Sequence, residues 1–215
     1  PRDLIAHLEE RGYRVSKDPP KERGTAKFDV RIKPGSTIRL GLVSDTHLNS
    51  RAQQLTALTD FYRYADSRGV IGFGHAGDLG DGHHVHRDSV YTQFNHGFNA
   101  QMRYIAAAYP KSQNGPTWFV EGNHDNWSYE NAGVSVGEWL PDRRPDLKYL
   151  GYYSSFLDLG QLRMYFAHGA KGGSAYAKSY KPQKLIEQMD PDERTRPHMA
   201  FFGHWHYDDY LGRYQ

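Results

Sequence analysis

Apolar residues in this chain fall into short runs, and most runs end on glycine and polar residues. Residues 38–43 form a short strand candidate that leads straight into Asp45 and His47. Residues 51–68 predict a helix: Leu55, Leu58, Phe61, Tyr62 and Ala65 recur at helical spacing, and Gly69 stops it. Residues 70–75 predict a second strand, ending at Gly77 and Asp78. A single longer helix is expected over 90–109, with Phe94, Phe98, Met102 and Ile105 on one face and Pro110 beyond its end. Residues 117–120 predict a third strand. The second half reads as richer in β-structure, with strands over 147–150, 152–157 and 162–167 and a turn at Leu159-Gly160. A helix around 183–189 and a last strand over 198–202 close the pattern.

The amino end differs. Residues 4–11 read as a short amphipathic helix ended by Gly12, and residues 17–25, with Pro19 and Pro20, read as a linker. Residues 1–35 are therefore expected to be a helix and linker, either the tail of an upstream module or a helix packed on the same domain. Residues 36–215 are expected to form the main domain. Because the chain opens at Pro1 and stops at Gln215, it reads as a piece of a longer protein.

Length and composition narrow the class without choosing a function. A chain of 215 residues can bury a real core as one domain. With 27 basic against 25 acidic residues, the net charge of +2 argues for neither a nucleic-acid nor a membrane partner. No apolar run approaches the roughly 20 residues of a membrane span, so no membrane partner is expected. A cytoplasmic or otherwise intracellular setting is the expectation. Cysteine is absent, which excludes disulfides and thiolate metal sites. Any metal must be held by His, Asp, Asn or Glu.

Five segments supply such residues in quantity. They are Asp45-Thr46-His47, the run Gly77-Asp78-Leu79-Gly80-Asp81-Gly82, Gly122-Asn123-His124-Asp125, Ala167-His168-Gly169 and Gly203-His204-Trp205-His206. Each ends an apolar run, as expected where ligands gather at the carboxyl edge of a sheet. Together they offer about as many nitrogen and oxygen ligands as two adjacent metal ions need. An ionised carboxylate can span two cations, and Asp78 is the candidate for that bridge.

In these five motifs, in this order, the chain resembles the calcineurin-like metallophosphoesterases across residues 36–210. The resemblance implies an α/β (α+β) fold, a four-layer sandwich of two mixed β-sheets flanked by helices. It implies that Asp45, His47 and His206 hold one divalent ion and Asn123, His168 and His204 the other, with Asp78 bridging. His124 would be the catalytic histidine beside the metals, and Asp125 would orient its ring. The implied chemistry is in-line attack on phosphorus by a metal-bridging hydroxide, with His124 assisting the leaving oxygen. Manganese is the expected metal, and the ligand types also admit Fe, Zn, Ni or Co.

Phosphoprotein phosphatases of the superfamily carry an arginine after the second aspartate of the Gly-Asp motif and a glutamate after Asn-His. Here those positions are Gly82 and Asp125. That tilts the expected substrate toward a phosphodiester: a cyclic nucleotide, a small diester, or nucleic acid cut by a DNA or RNA nuclease. The alternatives are a phosphomonoesterase and a non-catalytic scaffold built on the same fold. Trp127 and Trp205 lie beside predicted ligands and could stack a nucleobase or simply pack under the loops. Lys171 could touch a phosphate or stand exposed. His83, His84 and His86 read as a solvated loop, His75 as strand-end packing, and His96 as a surface residue of the 90–109 helix. Protein partners are not readable from these residues.

Overall fold

A computed structural model describes residues 26–28, 35, 37–82, 89–169, 179–189 and 196–206. The expected amino-terminal helix, the linker over 17–25, the His83, His84 and His86 cluster, and Lys171 lie outside the described residues. In chain order the elements are β1 (Ala26–Phe28), β2 (Gly41–Val43), α1 (Leu55–Ser67), β3 (Phe73–Ala76) and α2 (Ser89–Thr92). Then come α3 (Phe98–Ala108), β4 (Thr117–Glu121), α4 (Asn123–Ala132), α5 (Val136–Arg143) and β5 (Leu147–Tyr152). The last are β6 (Ser154–Leu159), β7 (Leu162–His168), α6 (Tyr180–Glu187) and β8 (Met199–Gly203).

These strands form two sheets, as expected. One has the order β2-β3-β4-β5 and is parallel throughout rather than mixed. The other, β1-β6-β7-β8, is mixed: β6 and β7 are antiparallel, while β1 runs parallel to β6 and β8 parallel to β7. Among the described residues, sheet pairing thus begins at Ala26, upstream of residue 36. The chain passes between sheets at Tyr153, a single residue at φ 57° that joins β5 to β6.

Period-two side-chain alternation divides the core into two layers. Trp118, Val120 and Leu150 of the parallel sheet cluster with Leu157, Leu159, Met164 and Phe166 of the other sheet. Gly74 lets Phe166 in: a Cβ there would lie 2.3 Å from that ring. On the opposite face, Phe73, Phe119 and Leu147 meet Leu58 and Tyr62 of α1, Met102 and Ile105 of α3, and Val136 and Leu140 of α5. Each such large side chain stabilises the fold by roughly 1.5–3 kcal/mol on burial. All five residues of β4 are buried, as a central parallel strand covered on both faces requires.

Three helical expectations are corrected. The first helix starts at Leu55, because residues 51–52 form a turn. The single helix over 90–109 is two, broken at residues 93–97. There the Asn49 side chain donates to Asn95 O at 2.8 Å and accepts from Asn95 N at 3.0 Å, taking the backbone out of helical pairing. Gly97, at φ 82°, completes the break. Exposed His96 therefore lies in the break and not on a helix. Helices α4 and α5 fall in a stretch that the apolar pattern left unassigned.

Candidate metal centre

The parallel register sends the carboxyl ends of β2, β3 and β4 to one edge, and β7 and β8 bring theirs to the same place. The β2–β3 pairing continues past both strand ends: Asp45 N donates to Gly77 O at 3.0 Å, His47 N to Asp78 O at 3.1 Å and Leu48 N to Leu79 O at 2.9 Å. Five of the expected ligands occupy left-handed backbone themselves: Asp45 (φ 53°), His47 (41°), Asp78 (56°), His204 (93°) and His206 (51°). For non-glycine residues that conformation costs about 1–2 kcal/mol each, and such strain concentrates at functional sites. The preceding glycines answer a steric need. A Cβ on Gly77 would sit 2.5 Å from His168 Nδ1, and one on Gly122 would run into Asp78.

All seven expected ligands converge, in two groups that meet at Asp78. In the first, His206 Nε2 lies 3.3 Å from Asp45 Oδ1 and 3.2 Å from His47 Nε2. Ligand atoms of these three all lie within 4.8 Å of one another. In the second, Asn123 Oδ1 sits 3.0 Å from His168 Nε2 and 2.9 Å from His204 Nδ1. Asp78 Oδ2 is 3.1 Å from His168 Nε2 and 3.8 Å from His47 Nε2, so one oxygen faces both groups. Its other oxygen accepts from His124 N, in the first turn of α4, at 2.8 Å. The His204 backbone N–H donates to both oxygens of Asp45 at 3.0 Å, tying β8 to β2. His168 Nδ1 meets Ala76 O at 2.8 Å, which fixes the proton there and turns Nε2 inward.

Charge follows this crowding. Burial alone would raise Asp78, but His168, His124 and His47 hold it well below the ordinary carboxylate range. Burial opposes protonation of His168, yet the Asp78 carboxylate raises its pKa. His47 behaves alike: burial is outweighed by Asp81, Asp78 and Asp45. In His124, burial dominates and lowers the pKa despite Asp78.

Asp125, expected to orient His124, takes its hydrogen bonds from backbone groups of two loops. Asp125 is buried, and its carboxylate accepts from Leu79 N (3.1 Å), Gly80 N (3.0 Å) and Gly122 N (3.1 Å). It fastens the two ligand loops together. The His124 ring is oriented from the β3 loop, its Nδ1 lying 2.7 Å from Asp81 O. The Asp81 carboxylate also stands 4.0 Å from His124 Nδ1 and 3.5 Å from His47 Nδ1. Asp81, which the Gly-Asp motif offers either as an organiser of the site or as a cap of its loop, thus stands beside both histidines. Trp205 packs against Gly169 and lies edge-on to His204, with ring centroids 5.6 Å apart. Trp127 is half-buried on α4.

The donor set suits divalent cations. Facing imidazole nitrogens at 3.2 Å and one amide oxygen between two imidazoles are converging lone pairs that a shared cation satisfies at once. Nitrogen and oxygen donors with no thiolate match harder or borderline ions. His206, with 60% of its side chain exposed, leaves the cluster open to solvent on one side.

Two facing sheets that deliver such a cluster to one edge define an α/β metallohydrolase-type site. The family model of the calcineurin-like phosphoesterase superfamily domain matches residues 38–211. The chain belongs to that superfamily, whose members are usually metal-dependent phosphoester hydrolases. No curated protein matches the chain. Among the described residues, no helix is long and apolar enough to cross a membrane.

Proposed function

We propose that the protein is a dinuclear metal-dependent phosphodiesterase, with Mn2+ the preferred ion and nucleic acid among its candidate substrates. The observation that carries this reading is the division of seven ligand side chains into two groups sharing Asp78. Bound divalent ions supply Lewis acidity at the phosphoryl oxygens and a water nucleophile near neutral pH. The chain's own residues do the rest. Asp78 holds the two groups together, Asp45 stands close to both, and Asn123 joins His168 to His204. With Nδ1 of His124 engaged by Asp81 O, Nε2 is the atom that can pass a proton to the leaving oxygen.

Preference for a diester rests on Gly82. It stands where phosphatase relatives carry a phosphate-clamping arginine, and its left-handed backbone (φ 69°) disfavours any larger residue. Its carbonyl is held by the Gln93 side chain. The test offers purified, Mn2+-loaded protein bis-p-nitrophenyl phosphate, p-nitrophenyl phosphate, and single- and double-stranded DNA. Diester turnover is expected. Turnover of the monoester alone makes the protein a phosphatase instead, and no turnover with metal bound leaves a scaffold. His124→Ala should lower kcat by about 10²–10⁴-fold with metal content unchanged. Loss of metal in that variant would make His124 a ligand.

A further inference from the structure

His75 carries no role in the chemistry above, yet it is fully buried in β3 at the base of two ligand loops. Both ring nitrogens are engaged. Gly77 N donates to Nδ1 at 3.2 Å, so the proton resides on Nε2, which meets Thr46 Oγ1 at 3.1 Å. The Thr46 hydroxyl, its lone pair taken by His75, donates onward to Leu79 O at 3.1 Å. Thr46 is the residue between Asp45 and His47, and Gly77 and Leu79 flank Asp78. One imidazole and one hydroxyl therefore cross-link the two loops that carry the first metal group and the shared carboxylate.

Such a link has mechanical work to do. Asp45, His47 and Asp78 all hold left-handed backbone, which relaxes unless the surroundings over-determine it. Three backbone bonds join the loops, and Asp125 holds the Leu79–Gly80 side from beyond; the Thr46 hydroxyl adds a side-chain tie from the Asp45–His47 side. This part-buried bond helps hold the left-handed backbone on either side of Thr46.

We propose that His75 is a positioning residue for the metal centre, bracing the Asp45–His47 loop against the Gly77–Leu79 turn through Thr46. This rests on the metallophosphoesterase reading and adds the origin of its ligand geometry. Outer partners bonded directly to a ligand side chain typically govern metal affinity by about 10–100-fold, and a brace acting through the ligand backbone is expected at the lower end of that range.

The test substitutes Thr46, which is part-buried beside an open cavity, so its variants leave the fully buried surroundings of His75 in place. Thr46→Val keeps the shape and removes the hydroxyl, and Thr46→Ser keeps the hydroxyl and removes the methyl. Affinity is read by titrating stripped protein with Co2+, and ligand geometry by the visible absorption of the Co2+-loaded form. Thr46→Val should bind at least about tenfold more weakly with a shifted spectrum, while Thr46→Ser should match wild type. The brace is refuted if Thr46→Val keeps wild-type affinity and spectrum, or if both variants lose equally, since the methyl would then be what matters. A wild-type protein that binds no Co2+ sinks the metallophosphoesterase reading itself. Wild type that binds metal and turns over ester, with an unaltered Thr46→Val, sinks the brace alone.

Discussion

Asp125 gathers three backbone N–H groups from two loops, so its replacement reaches the fold before it reaches the chemistry. Asp125→Ala leaves three buried donors to find new partners, at about 1–3 kcal/mol for each that fails. Urea denaturation should therefore show a loss of at least about 3 kcal/mol. A variant of wild-type stability with merely slower turnover would restore Asp125 to a catalytic role. This residue also marks where sequence reasoning stopped. A carboxylate after a histidine suggests that histidine as its partner, and only the fold shows both oxygens turned toward another loop. The convergence of the seven expected side chains was legible, because apolar run, glycine and polar residue is a local pattern. His75 was not, since its neighbours Thr46 and Gly77 meet it only in three dimensions. Burial, with His168 adding to it, lowers His75 from 6.5 to about 3, and His47 acts in the same direction while Asp78 opposes. A depressed histidine pKa means the unfolded chain binds the proton first. Its contribution is thus complete above pH 6.5 and fades as pH falls toward 3. In metal-free protein, the stability of wild type relative to His75→Phe should drop by about 2 kcal/mol between pH 7.5 and 5. A pH-independent difference in chemical denaturation would show that His75 is not buried neutral.

At the scale of elements, long-range polar bonds decided what apolar periodicity could not. The stripe Phe94, Phe98, Met102 and Ile105 reads as one helix, but Asn49 and Gly97 divide it. Helix α4 escaped notice for the opposite reason: the residues it buries are Asp125, Asn126 and Ser128, so it presents no apolar stripe at all. Its ends are set by Gly122 and by Gly133, which is left-handed at φ 66°. The end of α3 depends on Arg144. That guanidinium donates to Ala106 O (2.7 Å) and Tyr109 O (2.9 Å), and pairs with both oxygens of Asp146 at 2.9 and 2.7 Å. It thereby satisfies carbonyls that the helix leaves open, next to Pro110. Arg144→Ala should destabilise by about 2–3 kcal/mol. Arg144→Lys should recover less than half of that, because a point charge cannot hold the fork on Asp146 and reach two carbonyls together. Equal stability of wild type and the lysine variant in thermal unfolding would show that charge alone suffices.

Across the whole molecule, five of the eight described strands lead into an expected ligand, and the motifs spaced along the sequence announced the two sheets but not their strand order. The parallel character of one sheet and the entry of β1 at Ala26 did not show, because a three-residue strand carries no periodicity. What unites the molecule is that five strands and one helix meet at the ligands, so metal binding and global stability are linked. A ligand that binds only the folded chain stabilises it by about 2.7 kcal/mol at 100 times its Kd. For a chain of 215 residues each kcal/mol is worth about 2–4 °C. Stripping the protein with chelator and returning Mn2+ should accordingly raise Tm by about 5–10 °C for each occupied site. The pattern among variants discriminates further. Asn123→Ala touches one group and should remove one site's share of the shift. Asp78→Asn, facing both groups, should remove most of the shift from both. Should Asp78→Asn retain the full rise while His206→Ala loses part of it, the two groups do not share Asp78, and each ion is held by its own ligands alone.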